Sequence, residues 1–194
     1  MGHYFTNDDN LELNIQKVPV EINKIRYYFY TDNGVFSKGE LDYGTELLLK
    51  TLDIKDVSTK TFLDIGCGCG PIGIYLSKLN ALKVDMTDVN LKSILLSKKA
   101  SLEQNLKTNV FESFSYEKII DKYDYIISNP PIRVGKKVLY DIIMNAKLHL
   151  NAGGEMWIVV RKKQGADSLV RDMKKTYNVT IVDKKKGFLI IKAQ

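Results

Sequence analysis

The sequence predicts an α/β fold built on a mostly parallel sheet, and three observations carry that expectation. From Thr61 onward, short apolar strands alternate with helical stretches. Three alternate glycines, Gly66, Gly68 and Gly70, join the first of these strands to the helix that follows it. Two closing strands meet across a tight turn, which sets the last one antiparallel to the others. Such a sheet is covered on both faces and carries its ligand sites at the carboxyl ends of its strands. With 194 residues, 44% of them apolar, the chain is long enough for one domain with a full core. We expect residues 1–194 to form a single unit, with a β-extension over 1–40 and the α/β core over 41–194.

The elements follow in order. Leu11 to Val18 alternates apolar and polar side chains and Lys24 to Tyr30 is β-branched and aromatic, so the two are expected to pair around a turn at Pro19. Glu46 to Leu52 reads as a short helix with Thr45 as its N-cap. Thr61 to Ile65 is a strand, and Pro71 to Leu79 a helix with proline at its first position. Leu82 to Thr87 is the next strand. In the helix Leu91 to Gln104, residues Leu91, Ile94, Leu95, Ala100 and Leu102 are expected to share a buried face. A weak strand at Val110 and Phe111 and a firmer one at Tyr123 to Ser128 precede a helix over Val138 to Leu148. Glu155 to Val160 is a strand, Ala166 to Lys175 a helix, and Val179 to Val182 and Phe188 to Ile191 the closing pair around Lys184 to Gly187.

Several function classes are excluded early. The two cysteines, Cys67 and Cys69, are too close for an unstrained disulfide, and with only His3 and His149 elsewhere they are too few for a zinc site, so no metal is expected. A reducing cytoplasmic location follows. No apolar run reaches the roughly 20 residues of a membrane span. The charge is uneven: residues 1–132 hold 15 basic and 18 acidic side chains, and residues 133–194 hold 14 and 5. The basic excess, which favours a polyanionic partner, therefore belongs to the C-terminal third.

The glycine turn lets the backbone pass close to a ligand, while the free amides at the helix start favour electron-rich groups. Gly68 to Gly73 also satisfies G-x-G-x-x-G, but Gly66 takes the place directly after the strand, with Asp64 two residues before it. Asp88 ends the next strand, where a carboxylate can accept both hydroxyls of a ribose. NAD and S-adenosylmethionine both present such a ribose, so Asp88 does not separate them. Asn129-Pro130-Pro131 does. Asn129 offers a side-chain carbonyl, Pro130 a backbone carbonyl without an amide hydrogen, and the two prolines stiffen the turn. Two convergent acceptors suit an exocyclic amino group and would aim its nitrogen at an electrophile.

Together, the run Phe62 to Gly73 and the run Ser128 to Lys136 resemble motifs I and IV of the class I S-adenosylmethionine-dependent methyltransferases that act on amino nitrogens. Gly34-Val35-Phe36-Ser37, Leu41 to Thr45, Leu150 to Trp157 and Lys186-Gly187-Phe188 are further similar to the bacterial guanine-N2 methyltransferases of small-subunit ribosomal RNA, of the methyltransferase C type, in a short single-domain form. That resemblance implies a Rossmann-like, seven-stranded sheet with its last strand antiparallel. It implies S-adenosylmethionine as methyl donor and a guanine amine of ribosomal RNA, free or in the small subunit, as acceptor. By position, Asp64, Gly66, Gly68 and Gly70 should line the cofactor, Asp88 its ribose, and Asp42 and Thr45 its methionine end. Asn129, Pro130 and Pro131 should hold the amine.

Two departures matter. Ser113-Phe114 stands where the family usually has serine followed by Asp or Asn, which implies that adenine is held more by packing. Ile132 follows Pro131 where adenine-directed relatives carry an aromatic, leaving Phe36 as a candidate stacking residue. A protein glutamine amide and an adenine amine remain alternative acceptors, and a non-catalytic RNA- or nucleotide-binding module is the alternative outside enzymes. Arg133, Lys136 and Lys137, with Arg161, Lys162 and Lys163, follow strands at the active edge and are expected to contact phosphates. Lys174, Lys175 and Lys184 to Lys186 read as solvated surface. A monomer is compatible with all of this.

Overall fold

The computed structural model describes residues 14–33, 35, 39–130 and 135–194. Its strands are β1 (Gln16–Ile22), β2 (Ile25–Thr31), β3 (Thr61–Ile65), β4 (Lys83–Asp88), β5 (Thr108–Glu112), β6 (Tyr123–Ser128), β7 (Leu150–Arg161), β8 (Val179–Lys185) and β9 (Phe188–Ala193). The helices are α1 (Tyr43–Thr51), α2 (Pro71–Lys78), α3 (Leu91–Glu103), α4 (Lys136–Asn145) and α5 (Ala166–Met173). Seven strands form one sheet in the order β5-β4-β3-β6-β7-β9-β8, and β9 alone runs against the rest. The expected fold class is the one observed.

The apolar runs of the strands are uninterrupted because both faces are covered. Successive residues point to opposite sides. Phe62, Ile127, Trp157, Val159 and Ile190 pack with α2, α3 and the β1–β2 hairpin, while Leu63, Ile126, Met156, Ile158 and Ile191 pack with α4 and α5. The chain leaves β3 toward β4 and later returns to β6 on its other side. That reversal opens a crevice at the carboxyl ends of β3 and β6, where the glycine turn and Asn129 emerge.

Five expectations are corrected. The β1–β2 turn is at Asn23-Lys24, whose φ angles of 49° and 67° make a two-residue hairpin turn. Pro19 lies inside β1, opposite Tyr28. The Tyr28 backbone N–H and C=O face outward, to the Gln104 side chain, so Pro19 sits where the ladder needs no donor. Second, α1 starts at Tyr43 because Asp42, rather than Thr45, is its N-cap.

Third, α3 buries Ser93, Ile94, Leu96, Ser97, Ala100 and Ser101 and exposes Leu91, Leu95 and Leu102. Small side chains take the seam because α3 lies close to the glycine turn, where Ser97 Oγ donates to the Gly68 carbonyl at 3.0 Å. Fourth, β7 begins at Leu150 and passes through an irregularity opposite Tyr123 and Tyr125, which hid its first half from an alternation pattern. Fifth, the closing turn narrows to Lys186-Gly187, with β8 and β9 longer than expected. Residues Leu11 to Leu13, Phe36, Pro131, Ile132 and Arg133 lie outside the described residues.

Candidate active site

The glycine turn is held from three sides. The Cys67 amide donates to the Thr87 carbonyl (2.8 Å), the Gly68 amide to Asp88 Oδ2 (2.8 Å), and the Ser97 hydroxyl reaches the Gly68 carbonyl. Gly66, Gly68 and Gly70 have φ of 69°, 55° and 79°, a region closed to most side chains, so the turn requires glycine at each. Asp88 is 5% exposed, and its second oxygen accepts the Asn90 amide at 2.9 Å. Burial raises its carboxyl above the usual range against those stabilising N–H groups. Asn90 itself caps α3, so Asp88 joins the end of β4 to the start of α3.

Asp64 lies in β3, one residue before its end. It is fully buried beneath the turn, with Oδ2 accepting the Gly73 amide at 2.9 Å and Oδ1 meeting no donor. It braces the turn from behind through the Gly73 amide. Desolvation pushes its carboxyl up to about 7. Burial likewise pushes the Cys69 thiol up to about 12 and raises the Cys67 thiol well above its ordinary value, so neither is a nucleophile at neutral pH.

Across the crevice, Asn129 follows β6, whose last residue Ser128 donates to the Ile65 carbonyl at 2.7 Å. Both hydrogens of the Asn129 amide are committed: Nδ2 donates to Asp42 Oδ2 at 3.0 Å and to Thr45 Oγ1 at 2.9 Å. Asp42 Oδ2 also accepts the Thr45 amide at 3.1 Å, so one oxygen caps α1 and grips Asn129. Flipping the amide would set the Asp42 carboxylate against the Asn129 carbonyl, so Asp42 fixes its orientation and Oδ1 is left as the acceptor. Sequence reasoning placed Asp42 and Thr45 near this site but missed their bond to Asn129, which spans more than 80 positions and leaves no local pattern. Pro130 is buried directly after Asn129.

Ser113 is buried at the end of β5, donating to the Ser115 carbonyl, and its amide bonds the Asp88 carbonyl at 3.1 Å. Phe114 beside it is 46% exposed. Lys136 and Lys137 are exposed in the first turn of α4, and Arg161, Lys162 and Lys163 are exposed where β7 ends. All five stand at the same edge as Asn129. A separate cavity of about 280 Å³, lined by Asp85, Asn109, Phe111 and Tyr123 among others, includes none of the residues of the crevice. No cluster able to hold a metal occurs among the described residues.

The family model of the methyltransferase small domain matches residues 26–192. The chain belongs to this family. As a member of the methyltransferase small domain family, it is a class I methyltransferase that uses S-adenosylmethionine. It is 39% identical over 198 residues to the uncharacterized protein YbxB of Bacillus subtilis (strain 168), covering 99% of this chain and 98% of that one. It is 39% identical over 155 residues to a ribosomal RNA small subunit methyltransferase C of Haemophilus influenzae, covering 77% of this chain and 46% of the relative. The chain thus spans about half the length of the small subunit methyltransferase C relatives it matches. Among solved structures, the Thermus thermophilus 16S rRNA N2 G1207 methyltransferase RsmC, in complex with AdoMet and guanosine, shares the fold. Its TM-score is 0.82 at 24% identity, over 95% of this chain and 51% of that one. No helix among the described residues is long and apolar enough to cross a membrane.

Proposed function

We propose that this protein transfers a methyl group from S-adenosylmethionine to the exocyclic N2 amine of a guanine in small-subunit ribosomal RNA, in the cytoplasm. The observation that carries this reading is the commitment of both Asn129 amide hydrogens to Asp42 and Thr45, which leaves Oδ1 available as an acceptor. With the Pro130 carbonyl as a second acceptor, the turn after β6 can fix both hydrogens of an amino group. The kinship with relatives named ribosomal RNA small subunit methyltransferase C supports RNA as the bearer of that amine.

The residues present fit the cofactor. The turn at Gly66, Gly68 and Gly70 has a backbone path that side chains would block, and a Cβ at Gly70 would stand 2.9 Å from Ser97 Oγ. Asp88, at the end of β4, would address the ribose hydroxyls, and the exposed ring of Phe114 would pack on adenine. When bound, S-adenosylmethionine supplies an electrophilic methyl group on a sulfonium. The chain's own part is positional. An amino group conjugated to a purine is a poor nucleophile, and Asn129 and Pro130 hold it in line while their oxygens favour the positive charge that develops on its nitrogen. The Asp42 carboxylate oxygen nearest Asn129 is engaged by the Asn129 amide and the Thr45 amide, and the surplus proton leaves to water. The target base must leave its stack, at a cost of a few kcal/mol that contacts to flanking RNA offset. Lys136, Lys137, Arg161, Lys162 and Lys163 are the side chains we assign to those contacts, and Arg133 by its place in the sequence.

The experiment is methyl transfer into small ribosomal subunits and their purified RNA from cells lacking the gene, followed by nucleoside analysis. N2-methylguanosine is the expected product. Methyl groups on adenine, or on a protein glutamine, would replace this reading.

A further inference from the structure

Two of the cations at the active edge are fixed by aromatic rings. The Arg161 guanidinium lies 4.7 Å from the centre of the Phe188 ring, and Lys186 Nζ lies 4.8 Å from the centre of the Tyr43 ring. The rings themselves touch, with centroids 5.5 Å apart. Because β9 runs against β7, Phe188 pairs with Arg161, and the β8–β9 turn is carried to the edge where Asn129 emerges. The Lys162 amide locks that turn by donating to the Gly187 carbonyl at 2.8 Å. The start of α1 closes on the same cluster: a Cβ at Gly44 would stand 2.8 Å from Phe188 Cε1, and Tyr43 directly follows Asp42, which holds Asn129.

The way these cations are held has a chemical consequence. Lys83, Lys92 and Lys192 are held by carboxylates, which cancel their charge. Neither Arg161 nor Lys186 has a carboxylate partner among the described residues, and both are exposed. An aromatic face restrains a cation while leaving its charge and its N–H donors available. A restrained, uncancelled pair of donors suits a phosphate oxygen, and the ordering cost of two long side chains is already met before a ligand arrives.

We propose that Arg161 and Lys186, posted on Phe188 and Tyr43, form a grip for the RNA backbone beside the target nucleotide, so that Lys186 belongs to the substrate surface rather than to the solvated lysine face expected from the sequence. This rests on the RNA methyltransferase reading above, and its test is separable from that reading. Binding of a short single-stranded RNA oligonucleotide is followed by fluorescence anisotropy across a salt series. Arg161→Gln and Lys186→Gln should each weaken binding roughly three- to tenfold and lower the log–log salt slope by about 0.7, the share of one phosphate on a single strand. Tyr43→Leu should mimic Lys186→Gln, and Tyr43→Phe, which keeps the ring, should bind as the unaltered protein does.

Lys174→Gln removes the same charge just beyond α5, at the opposite edge of the sheet, and serves as the reference for charge alone. Slopes for Arg161→Gln and Lys186→Gln equal to that of Lys174→Gln, or no salt-dependent binding by the unaltered protein, would overturn the grip. A lowered slope without methyl transfer to RNA would leave the grip standing and overturn the assigned reaction instead.

Discussion

The side-chain amide of Asn129 donates to the carboxylate of Asp42 at 3.0 Å across 87 positions of sequence, and the same oxygen caps α1. Helix start and the turn after β6 are thus one structure: whatever orients Asp42 also orients the Asn129 side-chain amide.

Thr45→Val removes one of the two acceptors for the Asn129 amide while keeping the buried shape of the side chain. Turnover should fall while the fold persists. Asp42→Ala removes the other acceptor and the cap together, and should lower stability by about 0.5–2 kcal/mol in addition to turnover. Calorimetric titration with S-adenosylmethionine separates this from a cofactor role: affinity should hold while turnover drops. Weakened affinity with turnover restored at saturating cofactor would return both residues to the methionine end, as the family resemblance implies.

At Gly73 a Cβ would lie 2.2 Å from Met86 Sδ and 2.4 Å from its Cγ, inside a core where Met86 is fully buried. Gly73→Ala should therefore cost about 1–3 kcal/mol by overpacking. In a Met86→Ala background most of that penalty should vanish. Denaturant unfolding of the four proteins of this cycle measures the coupling.

Asp64 keeps its proton in the folded protein up to about pH 7, while in the unfolded chain it loses it near 3.8. Between those values the native state binds more protons, so this group's stabilisation is fully present below the lower value and is lost as pH rises through the upper one. Asp64→Asn should lose less stability than the unaltered protein between about pH 4 and about pH 8. Parallel losses would show that the carboxyl is ionised throughout.

Much of this arrangement was legible from residue patterns because the patterns are local. A strand, three alternate glycines and a helix with proline at its first position announce themselves within about a dozen residues, as does Asn129-Pro130-Pro131. Asp88 was legible because its distance from the turn is set by one helix and one strand. What escaped was set by contacts distant in sequence. The bond from the Gly73 amide to Asp64 joins α2 to β3 and has no local signal. The outward leucines of α3 look like a core face until the serines are seen against the glycine turn. Pro19 looks like a turn until Gln104 accounts for the opposite residue's hydrogen bonds. The link from Asp42 to Asn129 and the posting of Lys186 on Tyr43 need the crossover connections of the sheet, which no local pattern encodes.

The central claim is that Asn129 presents a nucleobase amine to the methyl donor, and one measurement tests it most directly. Methyl transfer into undermethylated small-subunit RNA is compared for the unaltered protein and Asn129→Ala, with cofactor affinity measured on both. The account predicts N2-methylguanosine with the unaltered protein, and loss of transfer by Asn129→Ala with S-adenosylmethionine still bound. Transfer by Asn129→Ala at the unaltered rate would contradict it.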